Sequence, residues 1–498
     1  MQDCARYVEE MTRLRREIHR RPEEGWTEFE TQWKVFRALE ALGWTIRMGL
    51  DVIRPEAVMG RNAELVEKAM VRAAEHGVPE SFLKATGGYT GLTANFDTGR
   101  EGPVTGFRFD MDCVLVEELH DASHLPAAEG FDSEIPGHMH ACGHDAHTAT
   151  GVTLAHWITD HKDELKGRLR LIFQPAEEGT RGAAPMAAAG VVDDLNWFFG
   201  AHVGCNCRIG EASVVKKGFL ATTKIDIEFT GVPSHAGSDP EKGRSALMAA
   251  AAAAVMMQGI PRHGEGDTRI AVGRLVAGEG RNVTPVHAFM QCETRGSTQE
   301  INEYMFESVR RIVEGCAASY GVECRVTKAG EATNFEATPA ACDLAVEACA
   351  EVFGRDHVAS LETAGGSEDC SILARRAIEH GAEATFLFYG CNHHGHHRAD
   401  FEIQDTQSLP AALAVLSGIC RRTNGLCSRY PITGAPPAGG SRPAPRGFPH
   451  VLRAGTRGAS LLAKRTAFAR IRCGAKDSGK FNVQWRLNGT IIGSRKAR

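Results

Sequence analysis

"GRLRLIFQPAEEG", residues 167–179, is an apolar run that stops abruptly at a turn carrying two glutamates. A short run rich in Leu, Ile and Phe, bounded by Gly and Pro, reads as a buried strand over 168–173. "GPVTGFRFDMD" (102–112) and "LNWFFGAHVG" (195–204) have the same form, and each ends in an acid or a histidine. Helical spacing lies between them, as over 146–161, where Asp145 is the expected N-cap. Strands alternating with helices predict an α/β core with a mostly parallel sheet. Such sheets gather ligands beyond the carboxyl ends of their strands, where these three runs place their polar residues.

The most polar connection is "HMHACGHDAHTATG" (138–151), with four histidines, one cysteine and one aspartate in ten positions. Cys142 and His144 are two residues apart, so on a loop both can face one point. Glu177 and Glu178 offer one carboxylate to a metal and another to a water. His202 follows one strand, and His393, His394, His396 and His397 follow another. Thiolate, imidazole and carboxylate together suit Zn²⁺, and imidazole with carboxylate also suits Mn²⁺. A metal with open positions activates water and polarises a carbonyl, and a neighbouring carboxylate can take the proton. This is the chemistry of amide or ester hydrolysis. His138, His140 and His147 are expected to pack or to support ligands, and Cys205 and Cys207 to pack.

The chain has 498 residues, long enough for two or three domains. Its composition, 43% apolar and 24% charged, is that of a soluble globular protein. The charged N-terminus has no apolar export core. The longest apolar run, 246–257, is too short to cross a bilayer. Fifteen scattered cysteines then read as reduced thiols, and the expected location is cytoplasmic.

A second pattern begins near 221. "TKIDIEFTG" alternates like a half-exposed strand. A long Ala-rich helix, two further strands, a helix over 300–320 and "GVECRVTKAG" follow. The order β-α-β-β-α-β predicts a small inserted ferredoxin-like α+β domain over 221–332, serving as a lid or dimerisation domain. The catalytic core is thus expected in two parts, 1–220 and 333–424. Residues 425–498 hold fifteen Lys/Arg and one Asp (+14), so residues 1–424 hold 42 basic and 61 acidic residues. This Pro/Gly-containing tail reads as a disordered extension. It carries no aromatic-interleaved motif for nucleic acid, and no nucleic-acid or membrane partner is expected.

Ten segments resemble the M20 metallopeptidases, in the amidohydrolase branch that contains aminoacylases and auxin-conjugate hydrolases. In order they are "RREIHRRPEEGWTEFET" (15–31), "FRFDMD" (107–112), "MHACGHDAHTA" (139–149), "IFQPAEEGTRGA" (172–183), "AHVG" (201–204), "SHAG" (234–237), "GRNVTP" (280–285), "ETRG" (293–296), "GGSEDCS" (365–371) and "GHHRADF" (395–401). An extra segment over 51–91 and the wording of "LATTKIDIEFTG" narrow the resemblance to members that split the amide between an aminobenzoyl group and glutamate. Other N-acyl amino acids, or an idle metal-binding role beside a partner, are the alternatives.

The resemblance implies Cys142, His144, Glu178, His202 and His397 as ligands of one or two Mn²⁺ or Zn²⁺ ions, with His396 the alternative to His397. It implies Glu177 as general base and Asp112 as a residue orienting a ligand or supporting the base. It places His235 at the scissile carbonyl oxygen, from the same chain or a partner subunit. It assigns the substrate carboxylate to Asn282 and Arg295, which a hairpin-like pairing is expected to bring to one face of the small sheet. The implied partners are a small acyl-amino-acid substrate and, in a homodimer or heterodimer, a second or related subunit.

Overall fold

The structure is a computed structural model that describes residues 2–205, 207–363 and 365–428, with the backbone of 481–487 and 490–497. Its larger sheet has eight strands. In chain order these are β1 (Thr45–Met48), β2 (Leu92–Asp97), β3 (Val104–Asp110), β4 (Arg168–Gln174), β5 (Trp197–Val203), β6 (Ala212–Val215), β13 (Val358–Leu361) and β14 (Glu383–Tyr389). The spatial order is β1-β2-β4-β3-β5-β14-β6-β13. The middle four, β4-β3-β5-β14, run parallel to one another. β2 joins β4 antiparallel, and β6 joins β14 antiparallel.

The parallel strands are buried along nearly their whole length, as sheets covered on both faces require. Alternation divides their side chains between two cores. Phe107, Phe109, Leu171 and Phe173 enter one, while Ile172, Phe198 and Phe386 enter the other. Because the four run the same way, the residues that follow them share one edge. That edge receives Asp110, the 175–182 turn, His202 and the 390–397 loop.

The helix that opens the histidine-rich segment spans His144–Asp160 and is buried on almost every side. Its N-cap position is Gly143, with φ +87, and Asp145 makes no cap. Asp145 lies one residue inside, where its Oδ2 is 2.7 Å from His19 Nδ1 and 2.7 Å from Arg15 Nε, all three buried. A carboxylate buried there needs the guanidinium and the imidazole to offset its loss of water. The 51–91 segment forms helices Ala63–Glu75 and Glu80–Thr86. It docks through Arg72, which pairs with buried Glu23 and Glu30.

Between β6 and β13 the chain leaves the large sheet. β7 (Lys217–Gly218) pairs with β12 (Phe335–Glu336), so the outgoing and returning strands meet. Between them lie β8 (Ala221–Thr230), β9 (Thr268–Ala277), β10 (His287–Gly296) and β11 (Glu323–Ala332), an antiparallel sheet in the order β11-β8-β10-β9. Helices Ala246–Gln258 and Gln299–Tyr320 cover one face over Ile225, Ile227, Phe229 and Met290. The other face is polar and carries Lys224, Asp226, Gln291, Glu293 and Arg295, set by the period of two.

Residues 1–436 form one compact unit and 437–498 another. In the second, β15 (Phe481–Leu487) and β16 (Thr490–Ala497) pair as an antiparallel hairpin. This departs from the expectation of a tail without structure. The overlooked signal is Asn488-Gly489 between two β-prone runs. Residues 429–480 of the tail lie outside the described residues.

The apolar clusters of the first unit draw on residues 4–420. A chain ending at Pro436 is therefore expected to melt within about 2 °C of the full chain, by calorimetry. A larger drop would show that the first unit depends on the tail.

Candidate metal centre

The 175–182 turn is held by carboxylates from three directions. Asp112 lies two residues past β3. Its Oδ1 accepts the Glu177 N–H at 3.0 Å and its Oδ2 the Glu178 N–H at 2.9 Å. Glu28 accepts the Ala176 N–H at 2.7 Å, and Asp369 accepts those of Gly182 and Ala183 at 3.1 and 3.0 Å. Ala176 and Thr180 have φ +49 and +60, left-handed values that non-glycine residues avoid. Strain of this kind persists where the surroundings over-determine the backbone. The bracing directs the Glu177 and Glu178 side chains into a cavity of about 790 Å³ beyond the strand ends.

Neighbouring hydrogen bonds decide which histidine atoms are free. His144 Nδ1 donates to Asp112 Oδ1 at 3.3 Å, which leaves Nε2 as the lone-pair atom. That Nε2 is buried without a hydrogen-bond partner among the described residues, 3.9 Å from Glu177 Oε2 and 4.0 Å from Glu178 Oε1. His202 Nδ1 donates to the Val203 carbonyl at 2.7 Å, leaving its Nε2 3.4 Å from Cys142 Sγ. His147 is occupied on both sides, by Asp110 at 2.5 Å and by the Val203 N–H at 2.9 Å.

Two groups of potential ligands share Cys142. One is Cys142, His144 and His202; the other is Cys142, Glu178 and His397. Within each group the ligand atoms lie within 4.8 Å of one another. His397 Nε2 is 3.2 Å from Glu178 Oε1. His396 is close by but turned otherwise. Its Nδ1 is 3.9 Å from Cys142 Sγ, and its Nε2 accepts the Cys205 N–H at 3.4 Å. Ligand atoms converging from a thiol, imidazoles and a carboxylate, with His144 Nε2 buried and without a hydrogen-bond partner among the described residues, fit a divalent metal.

Proton positions point the same way. Burial opposes charge on His144, but Asp110, Asp112 and Glu178 outweigh it and raise its pKa to about 10. Burial, then Glu178 and Glu177, push the Cys142 thiol well up. Burial, then the carboxylates of Glu368 and Glu178, hold the Glu177 carboxyl well above its usual range. The acids crowded here lack the positive charge that would balance them.

The substrate residues expected from the sequence do not all meet. Arg295 lines the cavity, and its guanidinium is held by Glu293 Oε1 at 2.8 Å. His235 and Asn282 belong to loops at the other end of the small sheet. His235 pairs with Val283, and the Asn282 carbonyl accepts the Ala236 N–H. Strand β10 runs from His287, beside those loops, to Arg295 at its far end. Eight residues of extended chain span about 26 Å. The expectation that Asn282 and Arg295 share one face of a hairpin therefore fails within a single chain, because β10 leads away from the loop.

Several contributors carried no assigned role in the sequence reading. Arg108, fully buried, donates to Asp110, Glu368, Asp369 and Gln174. Glu368 and Asp369 fall in "GGSEDCS", so the motif was visible while the work of its acids was not. Lys224 also lines the cavity.

Residues 106–422 match the model of peptidase family M20/M25/M40. The chain belongs to that family. It is a metal-dependent amidohydrolase. Among relatives of this M20 chain, the indole-3-acetyl-aspartic acid hydrolase of Enterobacter agglomerans is 43% identical over 80% of this chain and 92% of its own length. A homolog of a p-aminobenzoyl-glutamate hydrolase subunit, from Haemophilus influenzae, is 42% identical over 81% and 96%. The crystal structure of the aminobenzoyl-glutamate utilization protein from Klebsiella pneumoniae superposes with a TM-score of 0.71 at 37% identity, covering 84% of this chain and 96% of that one.

Metal uptake needs a thiolate at Cys142 and a neutral imidazole at His144, and both groups are protonated at pH 7 without metal. Loading the apoprotein at pH 7 is expected to release about two protons per chain, measured by pH-stat or by calorimetry in buffers of different ionisation enthalpy. Release near zero would mean the ion binds elsewhere.

Proposed function

We propose that this M20 amidohydrolase cleaves the amide joining an aromatic acyl group to an acidic amino acid, with p-aminobenzoyl-glutamate as substrate. The observation that carries the reading is Glu177, a buried carboxylate braced beside two ligand groups that share Cys142. A purely structural metal site has no use for such a group. The names of the two relatives above 40% identity supply the substrate class, an aromatic acyl group on aspartate or glutamate.

In this reading Cys142, His144, Glu178, His202 and His397 hold one or two ions, Zn²⁺ or Mn²⁺, and Cys142 is common to both groups. When bound, the metal polarises the amide carbonyl and acidifies water. Glu177 takes the proton of the attacking water and returns it to the leaving nitrogen. Asp112 is a positioning residue: it fixes the His144 tautomer and the backbone of the base together. Arg295 holds a substrate carboxylate, a group its planar fork matches.

His235 and Asn282 then act from a second copy of the chain. The His235 ring accepts the Gly237 and Ser238 N–H groups on Nδ1, which leaves an Nε2–H free to donate to a carbonyl oxygen. An apolar surface beside the edge strand supports the pairing of copies: Met248, Val255 and Met256 on the helix and Leu275 on the helix-covered face of β9 are exposed. A related subunit on the same face is the second reading. Among the described residues no helix is long and apolar enough to cross a membrane.

The test is turnover of p-aminobenzoyl-glutamate and indole-3-acetyl-aspartate by metal-loaded protein. Chelation is expected to abolish it. Glu177→Gln is expected to keep the metal and lower kcat by about 10²–10⁴-fold. Undiminished turnover after complete chelation would remove the reading. A mixture of His235→Ala and Glu177→Gln chains, each inactive alone, is expected to recover activity through mixed dimers. No recovery would place His235 in its own chain's site.

A further inference from the structure

The open face of the small sheet roofs the metal cavity, and its charges are arranged around one carboxylate. Glu293 on β10 lies directly across from Lys224 on β8. Its Oε2 is ion-paired with Lys224 Nζ, and its Oε1 accepts the Arg295 Nε–H at 2.8 Å. Arg295 Nη1 also reaches Ser367 Oγ at 3.4 Å. Arg295 Nη2 donates to Glu293 Oε2 as well, at 3.3 Å, so one carboxylate bridges an ammonium and a guanidinium on the cavity face.

Lys224 lies where two cavities meet. It lines the 790 Å³ cavity with Glu177, Glu178 and Arg295. It also lines a neighbouring one of about 590 Å³, with Val114, Leu115 and Ala271. The first cavity is otherwise rich in acids, with Glu177, Glu178, Glu211 and Glu368. A dianionic substrate would be repelled there unless cations met both of its charges. Arg181, the other cation lining the second cavity, is committed to the carbonyls of Glu178 and Gly60. Among the described residues Lys224 is ion-paired only with Glu293, and its flexible stem can turn its ammonium from that partner to a ligand.

Resting on the reading that the substrate is an acyl conjugate of an acidic amino acid, we infer that Lys224 is the residue that selects for the second, side-chain carboxylate. Arg295 takes the α-carboxylate. Lys224 takes the β- or γ-carboxylate. In the unliganded site Glu293 keeps both cations on the cavity face of the small sheet. Lys224 touches the substrate but no bond that changes, so its effect falls on discrimination.

The experiment compares p-aminobenzoyl-glutamate with p-aminobenzoyl-glutamine, which keeps the acyl group, the α-carboxylate and the shape but lacks the second charge. In metal-loaded enzyme, Lys224→Met is expected to lower the glutamate-over-glutamine ratio of kcat/KM by about 10- to 100-fold, the scale of one charge-assisted hydrogen bond. Lys224→Arg is expected to retain most of it. Equal losses on both conjugates, or an unchanged ratio, would make Lys224 an ordinary cross-strand partner of Glu293 and overturn the inference. Calorimetric binding of both conjugates to metal-loaded Glu177→Gln protein, with and without Lys224→Met, reads the same preference without turnover. A Lys224-dependent binding preference in a protein that hydrolyses neither conjugate would uphold the inference and overturn the hydrolase reading. An indifferent one would overturn the inference itself.

Discussion

One buried carboxylate sets the geometry of the site. Asp112 accepts the backbone N–H groups of Glu177 and Glu178 and the Nδ1–H of His144. It thereby links three segments that are distant in the chain: the end of β3, the turn after β4 and the start of the central helix. Each bond has a separate consequence. The amide bonds fix the backbone from which the Glu177 and Glu178 side chains enter the cavity. The imidazole bond chooses the tautomer that leaves Nε2 free. Precision of this order comes from outer groups that fix the inner ones.

The anchoring is repeated one layer out. Arg108 sits on β3 two residues before Asp110 and ties it to Glu368, Asp369 and Gln174. Asp369 in turn holds the far end of the 175–182 turn. Buried charges are costly unless paired and fully hydrogen-bonded. Here the cost is met because each charge has several partners, and the result is a rigid rim on the parallel strands. The rim carries an excess of acids, which a bound cation would balance.

The inserted sheet adds something different. Its helices bury one face, so its polar face is left to cover the cavity. The chain also couples the two parts: the Glu331 N–H donates to the Thr180 carbonyl at 2.7 Å, and Gly330 packs so close to the Gly179 carbonyl that a Cβ would lie 2.0 Å from it. β11 is irregular there, between Lys328 and Gly330. The roof is thus attached to the turn that carries Glu177 and Glu178. The cations of the roof and the carboxylates of the floor are carried on touching segments.

Much of this was legible in the chain because it depends on local order. Runs such as "GRLRLIFQPAEEG" declare buried strands, and parallel strands separated by helices must end on a common edge, so Glu177, Glu178 and His202 could be brought together on paper. The close spacing of Cys142 and His144 did the same for that thiol and imidazole. What depended on direction in space was not legible. Nothing local tells that β10 carries Arg295 some eight residues away from the loop of Asn282 and His235, since hairpin partners look adjacent whichever end they occupy. Nor does spacing separate His397, which faces Glu178, from His396, which faces Cys205, because one residue along a loop with left-handed φ reverses a side chain. Asp145 had the sequence of a cap, but only the fold placed Arg15 and His19 against it. Sequence periodicity determined which faces are buried and which strands end in acids and histidines. Tertiary structure decided which polar atoms remain unpaired and point at one another, because that follows from hydrogen-bond competition among segments hundreds of residues apart.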